Sequence, residues 1–305
     1  MFQSNVSLTP RSRLAVHRRI ALGTWSAPDD PTVHGTLKLP ADPMVDDLSA
    51  LRAHSGQRGT ITTAVARAMD VVMREVPDAN AIIRWGQLYL RDDIDIFVHV
   101  SLMEEKTGQP DLSDVALRHV DRRDVVDLAR ELDASVAKVR ERRDASMVRT
   151  RNQMRQMPQP LVRGALRLLA FLSYTLNIDA SLFGAPRDPF GGLAVTNVGS
   201  FGLDTAYVPL VPYTRLPVFL AVGAVTRKPV VVQDVDGSER IEIALMLPLH
   251  AAFDHRVLDG SHVAQMANIL RRVFADPVAA FGRHRGGRVH TQPARAHIRP
   301  RRVHR

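Results

Sequence analysis

Cysteine is absent from the 305-residue chain. That one absence removes disulfides, thiolate zinc sites and a cysteine nucleophile, and a reducing cytoplasm is the expected compartment. Aromatic residues make up only 5%, too few stacking platforms for single-stranded nucleic acid, which is therefore not expected as a partner. Lysine is confined to Lys38, Lys106, Lys138 and Lys228, so arginine supplies nearly all of the cationic surplus behind the net charge of +9. No Gly-x-Gly-x-x-Gly follows a strand pattern and no Gly-x-x-x-x-Gly-Lys occurs, so the dinucleotide and P-loop folds lack their phosphate cradle. Met1 to Thr9 shows no charged stretch leading into an apolar one, hence no secretory signal. The nearest approach to a membrane span, Leu161 to Leu182, is broken by Arg163, Arg167 and Asp179. Its uninterrupted apolar part, around Leu168 to Leu176, falls short of the roughly 20 residues that a spanning helix needs.

What is present is a chain with 45% apolar residues, ample for a buried core. Arg13 to Ala21 reads as a short helix, Thr32 to Leu39 as a strand, and Asp46 to His54 as a helix. Between Thr60 and Val76 the apolar residues Ile61, Ala64, Val65, Ala68, Met69, Val72 and Met73 recur at helical spacing, and Pro77 ends the run. Ala81 to Ser101 holds two or three strands. Asp121 to Asp144 returns to helical spacing, and Met147 to Leu182 continues helical and arginine-rich. From Gly191 the character changes to strands, predicted at Leu193 to Val198, Pro217 to Val225, Pro229 to Gln233 and Ile241 to Pro248, before a last helix at Ser261 to Phe274. The pattern predicts an α+β or mixed α/β fold built on one sheet, without βαβ repeats. Three divisions follow: a tail over 1–12, a domain over 13–282 with an arginine-rich helical insertion at about 145–190, and a basic, disordered tail over 283–305.

The chemistry-bearing stretch is Ala252-Phe253-Asp254-His255-Arg256-Val257-Leu258-Asp259-Gly260. It places the His255 imidazole just past a buried strand and Asp259 at the start of a helix. A histidine kept neutral by its surroundings is the natural general base near pH 7. Three readings of the residues stay open at this point. His255 is a base, or it is a turn histidine beside Asp259 acting only as a helix N-cap, or His255, Asp259 and His262 converge on a metal.

The segment from Leu247 through Gly260 resembles the His-x-x-x-Asp-Gly signature of the catalytic domain of the 2-oxoacid dehydrogenase (dihydrolipoamide) acyltransferases, which is similar to chloramphenicol acetyltransferase. Two companions strengthen the resemblance. Gly192-Leu193-Ala194-Val195-Thr196-Asn197-Val198-Gly199-Ser200-Phe201-Gly202 is similar to the family's strand and turn that carry a hydroxyl residue. Pro217 to Gly223 is similar to the strand between the two motifs. Arg18-Arg19-Ile20-Ala21 and the Thr60 to Val76 helix fit the opening elements. The resemblance implies a chloramphenicol acetyltransferase-like mixed sheet flanked by helices. It implies that His255 is the base that deprotonates the acceptor, that Thr196 donates a hydrogen bond to the tetrahedral oxyanion, and that Asp259 holds the loop through an ion pair with Arg18. Asn197 is a supporting residue that either meets the ligand or caps its own turn. It also implies a homotrimer or higher assembly in which His255 faces Thr196 of a neighbour.

The substrate so implied is coenzyme A or another thioester, with no permanently bound cofactor. The chain encodes no lipoyl domain with its carrier lysine and no preceding linker, so a stand-alone member is expected. The Leu161 to Leu176 stretch, with its arginines, also suits contact with a membrane surface. Two functions remain in view: an acyltransferase acting on a thiol, hydroxyl or amine acceptor, and a non-catalytic trimeric scaffold with the same fold. His255, Thr196 and Asp259 together favour the enzyme, because a scaffold needs none of these side chains.

Overall fold

A computed structural model describes residues 6–10, 30–103, 110–140, 158–179, 181, 187–234 and 236–282. Arg18, the helix expected over Arg13 to Ala21 and the tail at 283–305 lie outside the described residues. Among those described, the strands form a seven-stranded mixed sheet and a separate three-stranded sheet.

The larger sheet begins at the edge strand β2 (Thr32–Pro40), which pairs with the long C-terminal strand β10 (Glu239–Asp254). On its other edge β10 pairs first with β9 (Thr226–Gln233), forming a hairpin, and then with β8 (Val218–Val222). Beyond β8 the order runs through β7 (Leu193–Asn197), β5 (Ile96–Met103) and β6 (Pro110–Leu117), with β7 parallel to both β8 and β5. The smaller sheet joins β1 (Leu8–Pro10), β4 (Gln87–Arg91) and β3 (Ala81–Arg84). Leu8–Pro10, inside the stretch read as a tail, is thus a paired strand.

Three features depart from the sequence reading. The strand expected to stop at Pro248 runs on to Asp254. Pro248 falls in the gap where β9 has ended at Met246 and β8 begins at Leu249. No ladder hydrogen bond is demanded of its missing N–H there. The strand β6 was not anticipated, because Pro110-Asp111-Leu112-Ser113-Asp114 alternates too weakly to be legible. The second, smaller sheet was also unforeseen. It gathers the Ala81 to Arg91 hairpin and β1 away from the main sheet.

One face of the large sheet is covered by helices. α2 (Ile61–Glu75) is the central one, capped by Thr60, whose side chain accepts from the Thr63 N–H. Ala64, Val65, Ala68, Met69, Val72 and Met73 of α2 join Val98, Val195, Leu220 and Leu249 of the strands in the main core. Around α2 lie α1 (Asp42–Ser55), α3 (Val125–Arg140) and α5 (Gly260–Ala275), followed by the short α6 (Pro277–Phe281). α4 (Gln159–Ala170) runs into a π-helical turn at Phe171–Thr175 and packs instead on the smaller sheet, through Ala170 and Tyr174. The opposite face of the large sheet holds a smaller cluster, Phe97, Ala194, Leu216, Phe219 and Ala252.

Candidate active site

β10 delivers Asp254 to a turn that is braced on every side. The Asp254 carbonyl accepts from the Val257 and Leu258 N–H groups, both at 2.9 Å. Its carboxylate takes the Arg256 Nε at 3.0 Å and Nη2 at 2.7 Å. Val257 and Leu258 are buried in the main core and pin the turn to it. His255, half-buried, stands in the middle of this turn. Its N–H donates to the Pro31 carbonyl at 2.9 Å, and its Nδ1 lies 2.8 Å from the Leu258 carbonyl oxygen. A carbonyl oxygen only accepts, so Nδ1 carries the proton of the neutral ring and the lone pair resides on Nε2. That is the tautomer a general base requires.

Asp259 closes the same turn as the N-cap of α5. Its Oδ1 accepts from the Ser261 N–H at 3.0 Å, the His262 N–H at 3.2 Å and the Ser261 hydroxyl at 2.6 Å. Burial opposes ionisation, but the hydrogen bonds from Ser261 and His262 outweigh it and hold the carboxyl far below the usual carboxylate range. His262, one of the three residues weighed as metal ligands, places Nδ1 2.6 Å from Asp259 and Nε2 3.3 Å from the buried Asp78. His255 stands outside this pair, with its Nδ1 on Leu258. Asp259→Ala removes the cap and is expected to cost about 1–2 kcal/mol of stability. Because the folded carboxyl titrates below its ordinary value of 3.8, that contribution is complete above this pH and is lost only as pH falls through the lower folded value. The gap between wild-type and variant urea midpoints is therefore expected to stay constant from neutrality to about pH 4 and to shrink below it.

Thr196 lies near the end of β7, half-buried, in a row that crosses the sheet. It pairs with His99 on β5 and Ala221 on β8, and Ala221 in turn faces His250 on β10, which faces Thr36 on β2. His250 is buried: Nδ1 lies 3.0 Å from the Thr36 hydroxyl and Nε2 2.8 Å from the Asp204 carbonyl. His99 stacks on Phe219 with ring centroids 5.3 Å apart. Asn197 caps the turn that follows Thr196, accepting from the Ser200 N–H at 3.1 Å and donating to the Thr62 hydroxyl at 3.0 Å. Gly199 lets that turn lie against the next strand, since a Cβ there would come within 2.5 Å of the Gly223 backbone.

Beyond Asn197 opens a cavity of about 500 Å³, within the size range of ligand sites. Its walls include Asn197, Gly199 and Ser200 from the turn, Arg52 and Arg58, and Thr60 with Ile61 at the N-terminus of α2. Two guanidiniums beside a helix N-terminus, with no carboxylate among the described residues of the wall, suit an anionic group.

Within one chain, Thr196 and His255 stand at opposite ends of the sheet. Thr196 is level with His250, five residues before His255, and is two strands away from β10. At about 3.3 Å per residue and 4.8 Å per strand, the two are separated by roughly 15–20 Å. A single copy does not bring them together.

Residues 190–281 match the family described as 2-oxoacid dehydrogenases acyltransferase (catalytic domain). Over that segment, about a third of the chain, the sequence is similar to this family. A curated relative, the dihydrolipoyllysine-residue acetyltransferase component of the pyruvate dehydrogenase complex of Acholeplasma laidlawii, is 36% identical over 87 residues, which are 28% of this chain and 15% of the relative. Solved structures extend the likeness to most of the chain. A probable dihydrolipoamide acetyltransferase from Listeria monocytogenes 4b F2365 aligns with a TM-score of 0.58 and 15% identity, over 88% of this chain and 94% of that one. The cubic core of a pyruvate dehydrogenase multienzyme complex gives 0.59 at 20% identity, over 87% of each chain. The Azotobacter vinelandii dihydrolipoamide acetyltransferase, solved to examine a serine, a histidine and an asparagine in its catalytic mechanism, gives 0.58 at 20% identity, over 87% of each chain. At these identities the likeness establishes a shared fold.

The motif residues His255 and Asp259 share one turn, and Thr196 and Asn197 share another. The row of polar side chains around Thr196 escaped the sequence reading. His99 and His250 each sit on an alternating strand, so either face was open to them. Only the pairing register shows that both fall on the row of Thr196.

Proposed function

We propose that this chain transfers an acyl group between coenzyme A, or another thioester, and a thiol, hydroxyl or amine acceptor, at a site that two copies complete. The observation that carries the reading is the Nδ1 bond of His255 to the Leu258 carbonyl, which leaves the lone pair on Nε2. His255 Nε2 takes the proton of the acceptor as the acceptor attacks the thioester carbonyl. The Thr196 hydroxyl donates to the oxyanion of the tetrahedral intermediate. Collapse of the intermediate breaks the carbon–sulfur bond, and the His255 imidazolium returns its proton to the departing thiolate. Asp259 fixes the start of α5 and with it the turn that presents His255. The cavity beside Arg52 and Arg58 supplies a place for the phosphates of coenzyme A.

Three observations support the reading. The family of residues 190–281 is one of acyltransferases. The A. vinelandii enzyme, with the same fold, was examined for a hydroxyl residue and an imidazole, the groups that Thr196 and His255 offer here. The separation of Thr196 from His255 in one chain calls for a second copy, as in a homotrimer or a higher assembly; a relative of the same fold forms a cubic core.

The test combines loss and complementation. Thr196→Ala is expected to lower kcat with acyl-coenzyme A by about 10²–10³-fold with little change in KM. Mixing unfolded Thr196→Ala and His255→Ala chains and refolding them together is expected to restore roughly a quarter of wild-type activity, because a quarter of random interfaces pair two intact residues. A mixture as inactive as its components excludes a site shared between copies.

A further inference from the structure

The side of the molecule carrying α4 and the smaller sheet has no part in the chemistry above, and it exposes an unusual set of side chains. Leu161 and Leu168, two helical turns apart on α4, are 61% and 58% exposed, and Phe171, three residues on, is 41% exposed. Trp85 meets the Phe171 ring edge to face at 6.1 Å and is itself 63% exposed. α4 buries its other side, through Ala170, against the smaller sheet, so this stripe is a second apolar face and not a displaced core face.

Trp85 is placed there at a conformational cost. Arg84 pairs with Gln87, leaving Trp85 and Gly86 as a two-residue turn with φ of 50° and 72°. Such turns favour Asn, Asp or Gly at the first position. A bulky residue held at positive φ marks a position with a purpose other than folding. The hairpin is tied down beside the stripe by Arg84, whose Nε donates to the Thr175 carbonyl at 2.8 Å.

The charged residues in the sequence of α4, Arg163 and Arg167, have one sign. Between Asp144 and Asp179 the sequence contains five arginines, Arg149, Arg151, Arg155, Arg163 and Arg167, and no Asp or Glu. Arg167 is exposed on α4 beside Leu168. Among the described residues no helix is long and apolar enough to cross a membrane.

We propose that α4, the turn at Phe171 and the Trp85 hairpin form a face that docks on the surface of an anionic phospholipid bilayer. Leu161, Leu168, Phe171 and Trp85 enter the interfacial zone, where leucine, phenylalanine and tryptophan side chains partition. Arg167 meets the phosphate headgroups. The charge favours this occupant over a second copy of the chain, since the same face on another copy brings the same positive charge with it.

The experiment is co-sedimentation of the full chain with vesicles of phosphatidylcholine alone or with about 30% phosphatidylglycerol added. Binding is expected to the anionic vesicles only, with release in about 0.5 M salt and a blue shift of tryptophan emission that Trp85→Phe removes. The exposed-site variants Leu168→Gln and Phe171→Gln are each expected to lower the partition coefficient about tenfold with the thermal midpoint unchanged. Failure of the wild type to sediment overturns the proposal, as does sedimentation that these variants leave unaltered. A change in lipid-free molecular mass on making the variants assigns the face to a second copy and overturns it equally.

Discussion

Replacing His255 by alanine is expected to lower acyl-coenzyme A turnover by about 10²–10⁴-fold while the fold persists. The structural cost is small because the turn does not depend on the imidazole. Asp254 carries it, through its carbonyl bonds to Val257 and Leu258 and its paired contacts with Arg256. The variant gives up only the Nδ1 bond to Leu258, about 0.5–1.5 kcal/mol. The His255 backbone bond to Pro31 remains. Circular dichroism and a urea midpoint check the fold, and steady-state turnover with an acyl-coenzyme A checks the chemistry. His255→Gln serves as the companion, because it fills the space without a titrating base and should be as inactive. Full activity in either variant removes the general-base role and with it the acyltransfer reading of this turn.

The contrast between His255 and Asp259 shows how the two share the turn. Asp259 has its hydrogen bonds on α5, to the Ser261 and His262 N–H groups and to both side chains. Its charge is held by donors of its own helix, which suits the positioning role proposed for it. The ion pair expected between Asp259 and Arg18 falls on a residue outside those described. A relation of this kind predicts different signatures. Loss of His255 is expected to lower the rate far more than the stability, whereas loss of Asp259 is expected to lower stability first and to reach the rate through the orientation of the ring.

The turn was the most legible part of the site. A short motif, a buried strand before it and a helix after it are all local properties of Leu247 to Phe274. The caps Asp259 and Asn197 were legible for the same reason, since each acts on residues two or three positions away. The surroundings of Thr196 are non-local. Its neighbour His99 is 97 positions distant in the chain, and their meeting depends on a parallel register between β5 and β7. Alternation on β5 shows that His99 and Phe97 share a face, but not which face looks toward the helices. The end of β10 was hidden by Pro248, whose usual meaning as a strand breaker fails where a strand changes partners. The distance between Thr196 and His255 was likewise invisible, because it follows from which end of each strand faces its neighbour.

Asp70→Ala is expected to cost about 3–5 kcal/mol, a large share of the roughly 5–15 kcal/mol that holds a domain together. Asp70 is fully buried on α2, paired with Arg67 and with Arg74, whose Nη2 stands 2.7 Å away. Removing the carboxylate leaves the buried Arg67 guanidinium without its ion-pair partner, on the helix that also supplies Thr62 to Asn197. Burial raises the Asp70 pKa, and the two arginines lower it without prevailing. Burial likewise lowers that of Arg67. A folded carboxyl that titrates above its unfolded value stabilises the fold below that unfolded value, and the benefit is lost as pH rises through the folded one. Asp70 therefore adds nothing to acid sensitivity, and Asp70→Asn, which keeps an oxygen toward Arg67, is expected to cost less than half as much as alanine. The double variant Asp70→Ala with Arg67→Met is expected to recover most of the loss, since an apolar pair of similar volume often replaces a buried ion pair without penalty. Urea midpoints of the wild type, the single variants Asp70→Ala and Arg67→Met, and the double variant close the cycle. A cost below about 1 kcal/mol for Asp70→Ala, or no recovery in the double variant, shows that the pair does not hold α2 in place.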